Sequence, residues 1–106
     1  MNKKRKIIWS YKSRESLNYI YEYIKIDSFQ NAKKVKRKII EIVSDLLIFP
    51  EKYSREHFLD KSKGNFRFAV IWSYKIIYEI TENEIIILDI FHTAQNPMKI
   101  TQLADR

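Results

Sequence analysis

The sequence predicts an α+β fold: an N-terminal strand, an antiparallel helix hairpin and a mainly antiparallel β-sheet, in the order β-α-α-β-β-β. Two changes of period carry this expectation. From Ser13 to Leu46 apolar residues recur every three or four positions, as on one face of a helix, and after Gly64, the only glycine, they alternate as on a strand. A short β-rich run, "RKIIWS" (5–10), precedes both. Helices grouped before a run of strands place the hairpin on one face of the sheet.

The elements follow in order. Ser13 is predicted to cap the first helix, with Glu15 in the first turn where the helix dipole favours a carboxylate. Leu17, Ile20, Tyr21 and Ile24 line one face, and the helix is expected to end near Asp27. Ser28 caps a second helix whose stripe is Ala32, Val35, Ile39, Ile42, Val43 and Leu46, and so tight a connection makes an antiparallel pair. Pro50, lacking an amide hydrogen, is predicted to stop this helix, and residues 50–64 read as a polar loop. In "NFRFAVIW", Phe66, Phe68, Val70 and Trp72 point one way and Arg67, Ala69 and Ile71 the other. "YKIIYEI" sets Tyr74, Ile76, Tyr78 and Ile80 against Lys75, Ile77 and Glu79. "ENE" turns the chain into "IIILDIFH", apolar on both faces and hence a central or doubly covered strand. Arg67, Ala69, Ile71, Lys75, Ile77 and Glu79 are expected on a second sheet face left open to a partner.

A chain of 106 residues forms one domain, 1–106, burying roughly two-thirds of its extended surface. Its 45% hydrophobic and 31% charged residues exclude a disordered tail. Without cysteine, disulfides and thiolate metal sites are excluded, and two isolated histidines make no zinc cluster, so no cofactor or metal is expected. Apolar runs such as Ile85 to Leu88 are far short of the roughly 18 residues that span a bilayer, and no membrane partner is expected. The N-terminal apolar run is too short for a signal peptide, which gives a cytoplasmic expectation.

The net charge of +7 sits entirely in residues 1–50, with 12 Lys and Arg against 5 Asp and Glu; the remainder holds 8 against 8. A positive surface attracts nucleic acid, acidic protein and anionic lipid alike. "KKVKRK" (33–38), with Val35 interleaved, reads as the wet side of an amphipathic helix, and "NKKRK" (2–6) as a basic terminus.

"WSYKSRESLNYIYEYI", then Ala32, Leu46-x-x-x-Pro50, Arg67, "YKIIYEI" and "IIILDIFHTAQNP" together resemble the RelE/ParE superfamily of bacterial toxins, from about Ile7 to Pro97. The resemblance implies a toxin neutralised by a cognate antitoxin. RelE-like members cleave mRNA on the ribosome; ParE-like members inhibit DNA gyrase by binding. Ser13 and Ser16 stand here where an alanine and an aspartate are common on the ParE-like side.

Cleaving RNA at a 2′-hydroxyl needs a proton acceptor, cations to stabilise the phosphorane and an acid for the leaving oxygen. Arg67, Lys75 and His92 are the candidates on the sheet, with Arg55, Lys61 and Lys63 in the preceding loop. Lys75 occupies a position where RelE-like ribonucleases usually carry arginine. "TAQNP" lacks the basic residue common after the last strand, and no tyrosine follows Tyr78. His92 has two readings, a strand-end histidine hydrogen-bonded to backbone or a proton-transfer group; by alternation it points with Leu88 and Ile90. His57 reads as exposed. Arg67 either meets a partner or pairs with Glu79 across neighbouring strands. The set Arg67, Ile71, Lys75, Ile77 and Glu79 is the expected target or antitoxin surface. The charge on the helices and the long hairpin favour the gyrase-binding side, with the ribosome-dependent endoribonuclease as the alternative.

Overall fold

In the computed structural model, which describes residues 4–104, Ser28 serves two helices at once. Its amide donates to the Ile24 carbonyl at the end of α1 (Tyr11–Asp27), and its hydroxyl accepts from the Asn31 amide in the first turn of α2 (Phe29–Asp45). A single residue between helices leaves only the antiparallel arrangement. Both predicted stripes face inward, except for Tyr21, which lies on the outer side of the hairpin: Leu17, Ile20, Ala32, Val35, Ile39, Val43 and Leu46 are buried. Asn2 and Lys3 of the basic terminus lie outside the described residues.

Two helix boundaries differ from expectation. The first cap is Ser10, whose hydroxyl accepts from the Ser13 amide; Ser13 itself is fully buried inside the helix and donates to the Ser10 carbonyl. Ser10 is also where β1 (Lys6–Trp9) ends, so strand and helix join without a spacer. α2 ends at Asp45, before Pro50 is reached, because Leu46 and Leu47 donate to Val43 and Ser44, three residues back, and tighten the last turn. Pro50 instead opens a 3₁₀ turn, Pro50–Lys52.

The sheet has five strands in the order β1-β5-β4-β3-β2, namely β1, β5 (Glu84–His92), β4 (Tyr74–Ile80), β3 (Asn65–Ile71) and β2 (Ser54–Arg55). β1 lies parallel to β5 and every other pair is antiparallel, so β5 is interior, as its two apolar faces required. β2 lies within the stretch read as a polar loop. That stretch also holds a 3₁₀ turn, His57–Leu59, and buries Glu56 and Leu59.

The two faces of the sheet are composed differently from the expected alternation. Trp72 and Ser73 form a two-residue turn, with Trp72 at φ 52°, and Ile71 pairs with Tyr74. Such a turn sets odd positions of β3 beside even positions of β4. Arg67, Ala69 and Ile71 therefore share a face with Tyr78, Ile76 and Tyr74, whereas Lys75, Ile77 and Glu79 stand beside Val70, Phe68 and Phe66. Ala69, Ile76, Tyr78, Ile85, Ile87 and Ile90 pack under the helices.

The other face is closed. A 3₁₀ segment, Pro97–Ala104, lays Ile100 and Leu103 against Phe66, Ile77, Leu88 and Phe91, joined by Leu59. The expected open face is thus a second core. Gly64, at φ 140°, enters it closely: a Cβ there would lie 2.7 Å from the Phe66 ring.

Candidate functional site

A cleft of about 590 Å³ lies between the middle of α1 and the ends of β4 and β5. α1 contributes Glu15, Ser16, Tyr19, Ile20 and Tyr23; Tyr74 opens β4, Ile90 and His92 close β5, and Gln95 follows. Glu15, Tyr19 and Tyr23 recur every four residues and so stand one above another on the helix. The rings of Tyr19 and Tyr23 stack with centroids 6.2 Å apart and planes 17° from parallel. Both remain largely open to solvent, at 70% and 63%. Across the cleft, Tyr74 and His92 are register partners with their rings edge-on at 5.5 Å. Burial pushes the Tyr74 phenol up, and the nearby Tyr23 hydroxyl adds to this.

His92 completes its own turn. Its Nδ1 accepts from the Ala94 amide at 3.0 Å, its amide donates to Gln95 Oε1 at 2.8 Å, and its carbonyl accepts from the Gln95 amide. Nδ1 being an acceptor, the neutral ring carries its proton on Nε2. The strand-end geometry weighed from sequence is the one found, with one change of direction. Asp89 pairs with Ile77 and Ile87 with Tyr78, which leaves Leu88 as a bulge residue without a partner on β4. His92 accordingly shares the helix-covered side with Ile90, while Leu88 packs in the opposite core.

Beneath the cleft, Asp89 is buried and accepts from the Ser16 hydroxyl at 2.5 Å and the Ile90 amide at 2.8 Å, with Lys12 Nζ at 3.9 Å. An aspartate at position 16 would set a second carboxylate against this one, so the serine there fits its partner. Burial pushes the Asp89 carboxyl above its ordinary value of 3.8, outweighing the lowering by Ser16, Ile90 and Lys12. The folded state then holds the Asp89 proton more tightly than the unfolded chain. Its contribution to stability is most favourable below 3.8 and declines as pH rises from there through the raised folded value. Urea unfolding of the wild type and Asp89→Asn between about pH 3 and about pH 7 checks this: the wild type should lose stability relative to the variant as pH rises.

The residues proposed from sequence for RNA cleavage do not converge. Arg67 lies on the same side as His92 but opposite Tyr78, four residues along β4 from Tyr74, or about 13 Å. Its guanidinium holds the segment before β2, donating to the Tyr53 carbonyl at 2.8 Å and to Asn65 Oδ1 at 3.0 Å, and pairing with Glu51 at 3.6 Å. Tyr78 fastens the same segment, its hydroxyl donating to the Pro50 carbonyl at 2.7 Å, and burial pushes that phenol up strongly. Lys75 lies on the opposite side of the sheet. Its ammonium meets the fully buried Glu56 carboxylate at 2.6 Å and sits 4.3 Å from the centre of the Phe68 ring. Ile77 and Glu79 are buried on that closed side and Ile71 is half-buried under the helices, so the expected binding set does not form one surface. Arg55, His57, Lys61 and Lys63 are exposed.

None of the nine residues lining the cleft is lysine or arginine; its one formal anion is Glu15. Lys12 is engaged with Asp89 beneath the cleft, and a group of cations lies elsewhere. Arg14, Lys33, Lys36 and Arg37 flank shallow grooves on the outside of the hairpin, floored by Leu17, Tyr21 and the 41% exposed Ile40, with Trp9 at one end. Lys36 Nζ stands 5.0 Å over the Tyr21 ring. Sequence reasoning passed over Glu15, Tyr19 and Tyr23 as cleft residues, although their four-residue spacing beside the Leu17 and Ile20 stripe was there to read. No helix among the described residues is long and apolar enough to cross a membrane.

The sequence model of a family described as ParE toxin of type II toxin–antitoxin system, parDE, matches residues 7–97. Among solved structures, a chain of the chromosomal ParDE TA system from P. aeruginosa superposes with a TM-score of 0.68. It is 22% identical, over 84% of this chain and 96% of that one, a likeness of fold. No curated protein matches the chain.

Proposed function

Because the chain belongs to the ParE toxin family of type II toxin–antitoxin systems, we propose that it arrests growth by binding its target, DNA gyrase, and not by cutting RNA. The observation that carries this reading is the chemistry of the His92 cleft. Phosphoryl transfer at a 2′-hydroxyl builds negative charge that cations must stabilise, and this cleft presents tyrosines and a carboxylate instead. Arg67 and Lys75, the cations a nuclease would need, are engaged in ion pairs away from His92. Gyrase as the target rests on the resemblance to ParE-like members.

The cognate antitoxin is assigned to the hairpin. With the second sheet face closed by the chain's own C-terminal segment, the apolar-floored grooves between Arg14, Lys33, Lys36 and Arg37 are the surface suited to an acidic, amphipathic segment.

Induced expression followed by parallel assays of transcripts and plasmid supercoiling tests the proposal. Lost supercoiling with intact transcripts is expected; transcripts cut within minutes would overturn it. His92→Asn keeps an acceptor near the Nδ1 position and removes the imidazole. Toxicity of this variant should stay within about twofold of the wild type, whereas loss of a proton-transfer group would cost about a hundredfold or more.

A further inference from the structure

We infer that the cleft between α1 and the ends of β4 and β5 receives the guanidinium of an arginine side chain presented by a protein partner. The inference rests on the reading of the chain as a protein that acts by binding, and names what one site on it takes. In a chain with 20 Lys and Arg and a net charge of +7, this cleft is lined by no lysine or arginine. Its open wall consists of two stacked tyrosine faces above a carboxylate, all on one face of α1.

Each feature selects against other occupants. A phosphate or carboxylate would meet Glu15 with no compensating lysine or arginine. An aliphatic side chain would leave the Glu15 carboxylate without a new partner. A planar guanidinium stacks on tyrosine faces and offers a carboxylate paired donors in the same plane, which the compact, strongly hydrated ammonium of lysine does not. The edge-on pair of Tyr74 and His92 closes the back, and Ser16 is held down by Asp89, so the mouth between Tyr19, Tyr23 and Glu15 is where a side chain enters.

The full chain is titrated with the peptide Ac-Gly-Arg-Gly-NH₂, its isosteric neutral citrulline counterpart and its lysine counterpart, with ring and amide NMR shifts as the readout. Expected are shifts at Tyr19, Tyr23, Tyr74 and His92, with roughly tenfold weaker binding of citrulline and weaker binding of lysine. Glu15→Gln and Tyr23→Ala change exposed positions, and each should weaken the arginine peptide by about two- to fivefold with the fold intact by circular dichroism. Equal affinity for arginine and citrulline, shifts located on the hairpin grooves, or no shifts at all would overturn the assignment. A chain that ignores the peptide yet removes supercoiling refutes the arginine site alone. One that binds the peptide yet leaves supercoiling unchanged refutes the gyrase target alone.

Discussion

Replacing Lys75 by methionine is expected to cost about 3–5 kcal/mol of folding stability, the largest single loss foreseen here. Methionine fills the space of the lysine stem beside Phe58 and Phe68, so packing changes little. What is lost is the ammonium 2.6 Å from Glu56 Oε2, an oxygen with no other partner. With the Glu56 side chain wholly buried, water cannot replace the lysine. In a chain of this size such a loss lowers Tm by upwards of about 12 °C. Combining Lys75→Met with Glu56→Gln, which keeps an acceptor for the Phe58 amide and removes the charge, should restore most of the stability. Urea titrations of both variants check this, and a single variant within about 1 kcal/mol of wild type would show that the pair is not a buried charge pair.

Ile100→Ala should cost about 2–5 kcal/mol, and the reason lies in where the C-terminal segment rests. Ile100 is 1% exposed and packs with Leu103 against the face of the sheet opposite the helices. A segment lying loosely on the surface would detach locally and report less than about 1 kcal/mol. Met98→Ala, at an exposed position two residues earlier, is the control and should fall within about 0.5 kcal/mol of wild type. A lower urea midpoint at unchanged slope for Ile100→Ala would show that the whole domain depends on the segment.

These two expectations stand on features that reading along the chain did not reveal. Glu56 and Leu59 fall in a stretch that reads as polar loop; Leu59 packs against Phe66 and Ile77 and Glu56 pairs with Lys75, all arriving from later strands. Ile100 and Leu103 are three apart, the one local sign that the C-terminal residues have an apolar side, but two residues make too weak a pattern to predict an element. Ser10 and Ser13 both suit a cap; the choice fell to Ser10 because β1 ends there, its amide donating to the Ile87 carbonyl on β5. The expected partner surface failed at one step, since odd positions of β3 were grouped with odd positions of β4 across a turn of two residues.

By itself the sequence determined the helix pair, the three long strands, their order along the chain and a last strand that is central or covered on both faces. Each is a matter of local period or capping, written in side chains within one or two turns of one another. Tertiary structure decided which face each strand shows, the bulge at Leu88, the closing of the second face and the gathering of Glu15, Tyr19, Tyr23, Tyr74 and His92 around one cleft. Those outcomes depend on apolar area buried between segments up to about eighty residues apart, a free energy that no window of neighbouring residues contains.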